Sequence, residues 1–316
     1  MATINDVAKL AGVSNATASR ALRNIGKTKK STILKVQKAA KELGYVVNIT
    51  AQTLKNHCKD KVGFIVSDIN NDYYHQIQSI IQDKLHSINY ELSISFSSEN
   101  PTDERKSFKT LIGMGVNFIF FTPTCSTNKD LIEIAYKNNI QVIQLFRKIY
   151  DDVPCIINND EKGTYLAAKQ LFNLNCKNLL LLDVNYEHIL YKDVSPSRKK
   201  GFLQALNDFL INGNVIHINI VNHDSNEIIK AIEKYKPDGI IASNGDFGFD
   251  VLHYFVTNRI KNIKLISFDD NKWFELLNIQ SIKQDNEKIA NAIFSFIKEE
   301  KGFTNDLIID ESLVIR

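Results

Sequence analysis

The chain has 316 residues, 44% of them hydrophobic, which is long enough for more than one folded domain with cores of ordinary size. It has no apolar run near the ~18 residues of a membrane span and no signal-peptide core at its N-terminus, which favours a cytoplasmic protein. The net charge of +3 hides a division, because residues 1–61 carry 12 basic against 3 acidic side chains and the rest carry 27 against 33. A basic head on a mildly acidic body is typical of a chain that contacts nucleic-acid phosphates at one end.

The first predicted elements are two short helices joined by a turn at Gly12, within TINDVAKLAGVSNATASRAL (residues 3–22). Thr3 can cap the first helix with Asp6 as its capping-box partner, and Ser14 can cap the second. Apolar residues at helical spacing form the inward face: Ile4, Val7, Ala8, Ala11, Val13, Ala18, Ala21 and Leu22. This is the layout of a helix-turn-helix DNA reader, although an ordinary helical hairpin would also give the pattern.

The second helix would present Asn15, Ala16, Thr17 and Arg20 outward, where they could meet DNA. Arg20 suits a guanine edge and Asn15 an adenine edge, whereas Ala16 offers only a methyl contact. Lysines that could position the head on phosphates follow: Lys27, Lys29, Lys30, Lys35 and Lys38.

A third helix is predicted from Thr32 to Leu43, with Gly44 placed to end it. Its apolar positions would close a three-helix core: Leu34, Val36, Ala39, Ala40 and Leu43. The polar stretch YVVNITAQTLKNHCKD (45–60) comes next, and Asn48 can cap a short helix in it through about Leu54. We expect a linker that can fold.

The order and spacing of TINDVAKLAGVS, TASRAL, ELGY and N-x-x-A-x-x-L resemble the lactose/galactose repressor family, and the resemblance continues along essentially the whole chain. It implies a hinge helix in the DNA minor groove, with Leu54 wedged into a base step; alternatively, Leu54 packs between domains. Val47 and Arg23 stand where the family commonly has proline and asparagine. The residues expected to contact DNA are Thr3, Ser14, Asn15, Ala16, Thr17, Ser19, Arg20, Asn24, Lys27, Asn48, Ala51 and Leu54.

From Lys61 onward, apolar β-rich runs alternate with helical stretches, which predicts an α/β fold with parallel sheets covered by helices. Eight strands are predicted, at residues 62–67, 90–96, 116–122, 140–146, 179–184, 215–221, 239–243 and 263–268. That number suggests two doubly wound lobes rather than one sheet. The resemblance implies the bilobed fold of periplasmic sugar-binding proteins, with chain crossings near Asn158, Gln284 and Asn305.

The predicted domains are a helix-turn-helix DNA-binding head at residues 1–46, a hinge helix and linker at 47–60, and an effector-binding and dimerisation domain at 61–316. Lobe one would comprise about 61–158 and 285–305, and lobe two about 159–284 and 306–316. No heptad repeat follows the predicted last strand, DLIIDESLVIR (306–316), so a tetramer built by a C-terminal coiled coil is not expected.

Polar residues beyond the C-terminal ends of strands are candidate effector contacts, because open α/β sheets bind ligands there. The resemblance makes Tyr73 and Tyr74 candidates for stacking on a sugar face, although they could instead simply seal the lobe edge. The resemblance implies that Arg198 and Asp269 bind effector hydroxyls, although Arg198 also fits a solvated helix start and Asp269 a turn cap. The predicted effector contacts are Tyr73, Tyr74, Arg147, Arg198, Asn244, Asp269 and Gln284.

Two positions depart from the family's crevice pattern. Phe146 stands where relatives commonly have an aspartate before the arginine, and Gly245 replaces another aspartate. A free sugar, a sugar acid, a sugar phosphate and a nucleoside all fit the remaining residues. The loss of the acid at Phe146 slightly favours an anionic ligand.

An enzyme and a free-standing sugar-binding protein are the alternative functions. The sequence has no GxGxxG, GxxxxGK[ST], GxSxG or HExxH pattern, so catalysis is not expected. A free-standing receptor would need a signal peptide and no basic head. We expect no cofactor and no metal, and the scattered cysteines are predicted to be reduced structural thiols: Cys58, Cys125, Cys155 and Cys176.

The sequence therefore predicts a homodimeric transcriptional repressor of carbohydrate-utilisation genes. Two heads related by two-fold symmetry would read a palindromic operator in double-stranded DNA, since one head reads only a half-site. A small effector in the crevice (a sugar, sugar acid or sugar phosphate) would shift the dimer toward or away from the arrangement in which the hinge helices fold on DNA. The sequence does not distinguish whether this effector is an inducer or a corepressor.

Overall fold

A computed structural model of the chain describes residues 3–22, 28–43, 61–68, 72–185, 196–219, 224–299 and 306–316. The chain divides into two compact units, Met1–Cys58 and Lys59–Arg316. The first unit is helical where it is described, and the second alternates strands with helices. Several residues of the predicted head and hinge lie outside the described ranges: Arg23, Asn24, Lys27, Val47, Asn48, Ala51, Leu54 and Cys58.

The first unit contains α1 (Ile4–Ala11), α2 (Asn15–Leu22) and α3 (Lys30–Glu42). The predicted capping box is present, because the Asp6 backbone N–H donates to Thr3 Oγ1 at 3.4 Å and the Thr3 N–H donates to the Asp6 carboxylate at 2.8 Å. Gly12 follows α1 with a φ of 65°, a left-handed conformation that favours glycine. These local signals explain where the first helix begins and ends.

Small apolar side chains make up the core of the first unit: Val7, Ala8, Ala18, Ala21, Val36, Ala39 and Ala40. The inward placement of Leu34 is wrong, since it is 66% exposed and Ile33 packs against the core instead. One helical position is a rotation of about 100°, so Ile33 shares the inward face with Val36 and Ala40. Leu43 follows the end of α3 and is also exposed.

The strands and helices of the second unit are set out here in chain order. The strands are β1 (Lys61–Val66), β2 (Glu91–Phe96), β3 (Phe118–Phe121), β4 (Gln141–Leu145), β5 (Cys155–Asn158), β6 (Asn178–Asn185), β7 (Asn212–Asn219), β8 (Gly239–Ala242), β9 (Lys264–Phe268), β10 (Gln280–Lys283), β11 (Leu307–Ile309) and β12 (Ser312–Val314). The helices are α4 (Asp72–His86), α5 (Pro101–Gly113), α6 (Lys129–Lys137), α7 (Asp160–Asn173), α8 (Pro196–Phe209), α9 (Ser225–Tyr235), α10 (Gly245–Thr257), α11 (Lys272–Leu276) and α12 (Asn286–Glu299).

Lobe one is a parallel sheet with strand order β11-β5-β4-β3-β1-β2. Helices α4 and α12 pack on one face, against Phe64 and Phe120. Helices α5 and α6 pack on the other face, against Ile65 and Phe121. Adjacent strand residues thus face different helix layers, as a doubly wound sheet requires.

Lobe two repeats this plan with strand order β12-β10-β9-β8-β6-β7. Helices α7 and α8 cover the face that carries Leu179 and Leu181, and α9 and α10 cover the face that carries Leu180 and Leu182. The sheet is parallel except at β12, which runs antiparallel to β10. The two predicted doubly wound lobes are therefore confirmed, with one antiparallel edge strand that the sequence analysis lacks.

The chain crosses between the lobes three times. The crossings near Asn158 and Gln284 are confirmed, because β5 precedes the first and β10 the second. The third lies at Asp310 and Glu311 rather than near Asn305, because β11 still pairs with β5, Leu307 opposite Ile156. The single predicted last strand is thus two strands of three residues each, one in each sheet.

The eight predicted strands are all present within a few residues of their predicted bounds. Sequence analysis misses β5 and β10, which are four residues long and contain polar residues at their ends. A short run that contains polar residues gives neither a periodic nor a continuous apolar signal, so its place in a sheet follows from tertiary pairing alone.

Candidate DNA-reading helix and effector crevice

The solvent face of α2 carries the predicted base-reading residues. Asn15, Ala16 and Arg20 are exposed, while Ala18 and Ala21 point into the core. Arg20 Nε donates to the carbonyl oxygen of Ala16 at 3.2 Å, which holds the guanidinium along its own helix. The amide of Asn15 and the guanidinium of Arg20 are thus both exposed on α2.

Caps and lysines surround this face. The Thr17 backbone N–H donates to Ser14 Oγ at 3.2 Å, so Ser14 caps α2 as predicted. Thr17 and Ser19 are half-buried. Four of the predicted positioning lysines are described, and all are exposed: Lys29, Lys30, Lys35 and Lys38.

A cavity of about 80 Å³ lies where strands of both sheets end. Side chains that follow β1, β2 and β4 line it from lobe one, and side chains that follow β8 and β9 line it from lobe two. All seven predicted effector contacts line this cavity: Tyr73, Tyr74, Arg147, Arg198, Asn244, Asp269 and Gln284. The chain therefore brings together residues that are more than 200 positions apart in sequence.

Three aromatic rings form part of the lobe-one wall. Phe146 lies 5.1 Å from Tyr73 and 5.6 Å from Tyr74, measured between ring centroids. Tyr73 Oη accepts from Asn158 Nδ2 at 3.1 Å, and Tyr74 Oη pairs with Ser67 Oγ at 2.9 Å. Burial raises the pKa of both phenols, so their hydroxyls stay protonated. The tyrosines are buried and Phe146 is half-buried, so Phe146 is the ring that faces the cavity more openly.

Arg147 forms a bidentate ion pair with Glu99, which follows β2. Its terminal nitrogens donate to the two Glu99 oxygens at 2.6 and 2.7 Å, and the two side chains are 7% and 8% exposed. Such a two-pronged pair fixes the guanidinium plane and compensates its charge.

Arg198 is positioned by the close approach of α8 to α7. A Cβ on Gly201 would lie 2.0 Å from the carbonyl oxygen of Glu161, so only glycine permits this contact. Arg198 donates to Asp160 Oδ1 from Nε and Nη2 at 3.2 and 3.1 Å, and from Nη1 to the Ser243 carbonyl oxygen at 2.8 Å. Its guanidinium also stands 4.5 Å above the ring of Phe268.

Asp269 lies at the exit of β9 in a left-handed conformation, with a φ of 60°. Its oxygens accept from Gln284 Nε2 at 2.9 Å and from the Gly245 backbone N–H at 3.2 Å. Burial raises the pKa of this carboxyl despite the nearby Arg198 charge. Asp269 thus joins lobe two to the second crossing, where Gln284 lies.

Two family models together match most of the chain. Residues 3–48 match the bacterial regulatory proteins of the lacI family, and residues 59–270 match the periplasmic binding proteins and sugar binding domain of the LacI family. The chain belongs to the LacI family. It is therefore a DNA-binding transcriptional regulator and not an enzyme, and its helix-turn-helix head sets it apart from a free-standing sugar receptor.

Named proteins resemble this LacI-family chain along most of its length. The probable HTH-type transcriptional repressor ExuR of Bacillus subtilis is 24% identical over 340 residues, covering 100% of this chain and 98% of ExuR. The sucrose operon repressor of Streptococcus mutans is 28% identical over 288 residues, covering 87% of this chain and 84% of the relative. The lac repressor dimer bound to operator and the anti-inducer ONPF has a TM-score of 0.79 at 19% identity, covering 100% of this chain and 98% of that one. The last likeness supports the two-lobed fold.

Glu311, at the third crossing, is a buried residue that sequence analysis does not single out in this LacI-family protein. It is 3% exposed, and neither carboxylate oxygen has a hydrogen-bond partner within the described ranges. A Cβ on Gly163 of α7 would lie 1.9 Å from Glu311 Oε2, so the carboxyl packs directly on that helix. Burial and the neighbouring Asp160 and Asp269 charges raise the pKa of Glu311 well above its usual range, although Arg198 opposes this.

Sequence analysis also misses Glu99 and Asp160, which hold the two crevice arginines. Glu99 follows a strand end as the predicted contacts do, so its position gives a signal that could have identified it. Its pairing with Arg147 spans 48 residues and depends on the placement of β2 and β4 in one sheet, with β1 and β3 between them. The ion pair depends on the tertiary structure, and no local sequence pattern predicts it.

Among the described residues, no helix has both the length and the apolar character to cross a membrane. The same ranges contain no cluster of three or more His, Cys, Asp or Glu side chains suited to a metal ion. The described cysteines, Cys125, Cys155 and Cys176, are buried free thiols, and burial raises the pKa of Cys176 to about 11.

Proposed function

We propose that this protein represses carbohydrate-utilisation genes as a cytoplasmic homodimer, and that a small sugar-type effector in the crevice controls its binding to a palindromic operator. The observation that carries the proposal is the combination in one chain of an exposed reading helix with a basic surround and a cavity lined by polar side chains from two lobes. The sucrose operon repressor and the lac repressor, by their names and titles, support repression, operator binding and dimerisation. The predicted DNA and effector contacts and the domain bounds at 46 and 60 belong to this proposal.

Base reading is assigned to Asn15, Ala16 and Arg20, and phosphate positioning to the exposed lysines. Arg20 would leave the Ala16 carbonyl and turn its fork toward a guanine. Since Ala16 offers only a methyl group, much of the specificity rests on Asn15, Arg20 and DNA bending at the hinge, where Leu54 is the proposed wedge.

The dimer contact is assigned to an exposed apolar face formed by α10 and α11. Phe249, Val256, Leu276 and Leu277 are 56%, 69%, 86% and 51% exposed, and Phe249 meets Trp273 edge-on at 5.9 Å between centroids, so the two helices share one face. Apolar side chains clustered in this way mark a protein interface. A second copy of the chain is the proposed occupant, because a palindromic operator requires two heads related by two-fold symmetry.

Replacing Arg20 with alanine tests the reading helix. The operator is first obtained by selecting bound sequences from a random duplex pool with the full-length protein. Arg20→Ala should weaken operator binding by about 1–3 kcal/mol and relax the preference at one base pair in each half-site. Lys230→Ala, which removes an exposed charge from lobe two, is the matched control and should change neither. Unchanged affinity and preference in Arg20→Ala would count against this docking.

A further inference from the structure

Both crevice arginines are already paired with carboxylates, which bears on the charge of the effector. The Arg147–Glu99 pair is two-pronged and nearly fully buried, and Arg198 makes two hydrogen bonds to Asp160. Each guanidinium keeps unused N–H donors, but a largely buried carboxylate already balances its positive charge, so an anion brought to it would meet that carboxylate as a like charge.

The remaining charges that line the cavity have the same sign as an anionic ligand. Asp68 and Asp183 line it in addition to Glu99 and Asp160. Arg147 and Arg198 are the basic residues among the described lining side chains. A phosphate or carboxylate would therefore enter a cavity in which acidic side chains outnumber basic ones, and like charges brought together in this way are repelled.

Buried polar atoms of the cavity wall that lack a described hydrogen-bond partner indicate instead a ligand with hydroxyl groups. Ser243 and Asn244 are 1% and 6% exposed, and Ser243 Oγ and Asn244 Nδ2 have no hydrogen-bond partner in the described part of the chain. The same is true of Asn158 Oδ1. One donor, one acceptor and one hydroxyl that serves as either are what a neutral polyol can satisfy, since each of its hydroxyls donates and accepts.

Phe146 adds an apolar surface to the same cavity. Its backbone is fixed with a φ of 66° and its N–H donates to the Ile156 carbonyl oxygen at 2.8 Å, while its ring rests on Tyr73 and Tyr74. A half-buried ring held from behind in this way offers a flat surface to the C–H face of a sugar ring.

We propose that the effector of this crevice is an uncharged sugar, which packs its apolar face on Phe146 and directs hydroxyls to Asn158, Ser243 and Asn244. The inference rests on the proposed function and narrows its effector class from sugars, sugar acids and sugar phosphates to neutral sugars. It reverses the preference for an anion drawn from the sequence, because Glu99 and Asp160 compensate the arginines that such an anion would need.

The test is calorimetric titration of the full-length protein with sugars grouped by charge. Each group contains a neutral sugar together with its amino, uronic acid and phosphate forms, for example glucose, glucosamine, glucuronate and glucose 6-phosphate. The groups cover common hexoses, pentoses and disaccharides. A neutral member should bind, and the uronic acid and phosphate members of its group should bind more weakly by about tenfold or more. Tighter binding of a phosphate, an acid or an amino sugar would overturn the inference.

Two variants separate charge from shape as the cause of this selection. Glu99→Gln and Asp160→Asn each leave one arginine uncompensated, so each should narrow the gap between the neutral sugar and its phosphate by about tenfold. Glu91→Gln, at an exposed carboxylate on the opposite end of β2, is the control and should leave the gap unchanged. Persistence of the full gap in both crevice variants would show that charge does not decide the selection.

The outcomes also distinguish this inference from the proposed function. A charged sugar that binds and changes operator affinity would overturn the inference and leave the regulator intact. If no sugar in any group binds, sugar sensing itself fails, while the Arg20→Ala comparison still tests DNA reading independently.

Discussion

Glu311 is a carboxyl group whose two oxygens are buried at the third crossing without a described hydrogen-bond partner. Its pKa is raised well above the usual 4.5, chiefly by burial, so the folded protein retains a proton there that the unfolded chain releases. The stabilising effect of that proton is complete below the unfolded value and is lost as pH rises through the folded value.

We expect Glu311→Gln to flatten this part of the pH profile. The free energy of unfolding of the wild-type protein should fall relative to the variant as pH increases above about 4.5, because glutamine has no proton to lose. Denaturant titrations between pH 5 and about 8 measure the difference. Glu287→Gln, at an exposed carboxylate, is the control and should follow the wild type. Parallel profiles for wild type and Glu311→Gln would contradict the raised pKa.

Residue positions were more predictable than residue partners. Tyr73, Asn244 and Asp269 follow strand ends, and parallel strands bring those ends to one edge, so the strand pattern together with the family resemblance places them at the cavity. The Arg198–Asp160 contact depends on two helices that approach at Gly201, and no local pattern reports that approach. The sequence therefore predicts which residues line the cavity better than it predicts the hydrogen bonds and ion pairs that those residues form.

At the scale of elements, apolar content together with length determines what the sequence reveals. The eight residues of β6 and the four apolar residues of β3 carry enough apolar signal to be recognised. The strands β5 and β10 are as short as β3 but contain polar residues, and β11 and β12 have only three residues each. These short strands flank the crossings between lobes. The shortness of β11 and β12 also explains why the sequence predicts the third crossing near Asn305. In DLIIDESLVIR, only Asp310 and Glu311 separate the two strands, so the segment looks like one strand.

The exposed face of α10 and α11 leads to a prediction about assembly. Val256 and Leu276 are its most exposed apolar residues, so a Val256→Lys, Leu276→Lys double variant would place two charges in the proposed dimer contact. The dimer dissociation constant, measured by sedimentation velocity, should rise by about tenfold or more. Leu210→Lys is the matched control because Leu210 is 91% exposed at the end of α8. A double variant that stays as dimeric as the control would remove this face from the assembly.

At the scale of the whole molecule, the account links two activities in one chain. An effector can change operator affinity only to the extent that it binds one arrangement of the lobes better than another. Two crossings lie beside residues that line the cavity, Asn158 and Asp160 at the first and Gln284 at the second. At the third, Glu311 interacts electrostatically with Asp160 and Asp269, which line the cavity. A sugar that engages both lobes would therefore act where the lobes are joined.

The central claim is that occupation of the crevice changes DNA binding. The most direct measurement is a fluorescence-anisotropy titration of the selected operator with full-length protein, with and without a saturating amount of the neutral sugar found by calorimetry. We predict a change in operator dissociation constant of about 5- to 150-fold, in the direction of an inducer or a corepressor. We also predict no change with a neutral sugar that does not bind. Superimposable titrations with and without the bound sugar would contradict the account, because the crevice and the reading helix would then be uncoupled.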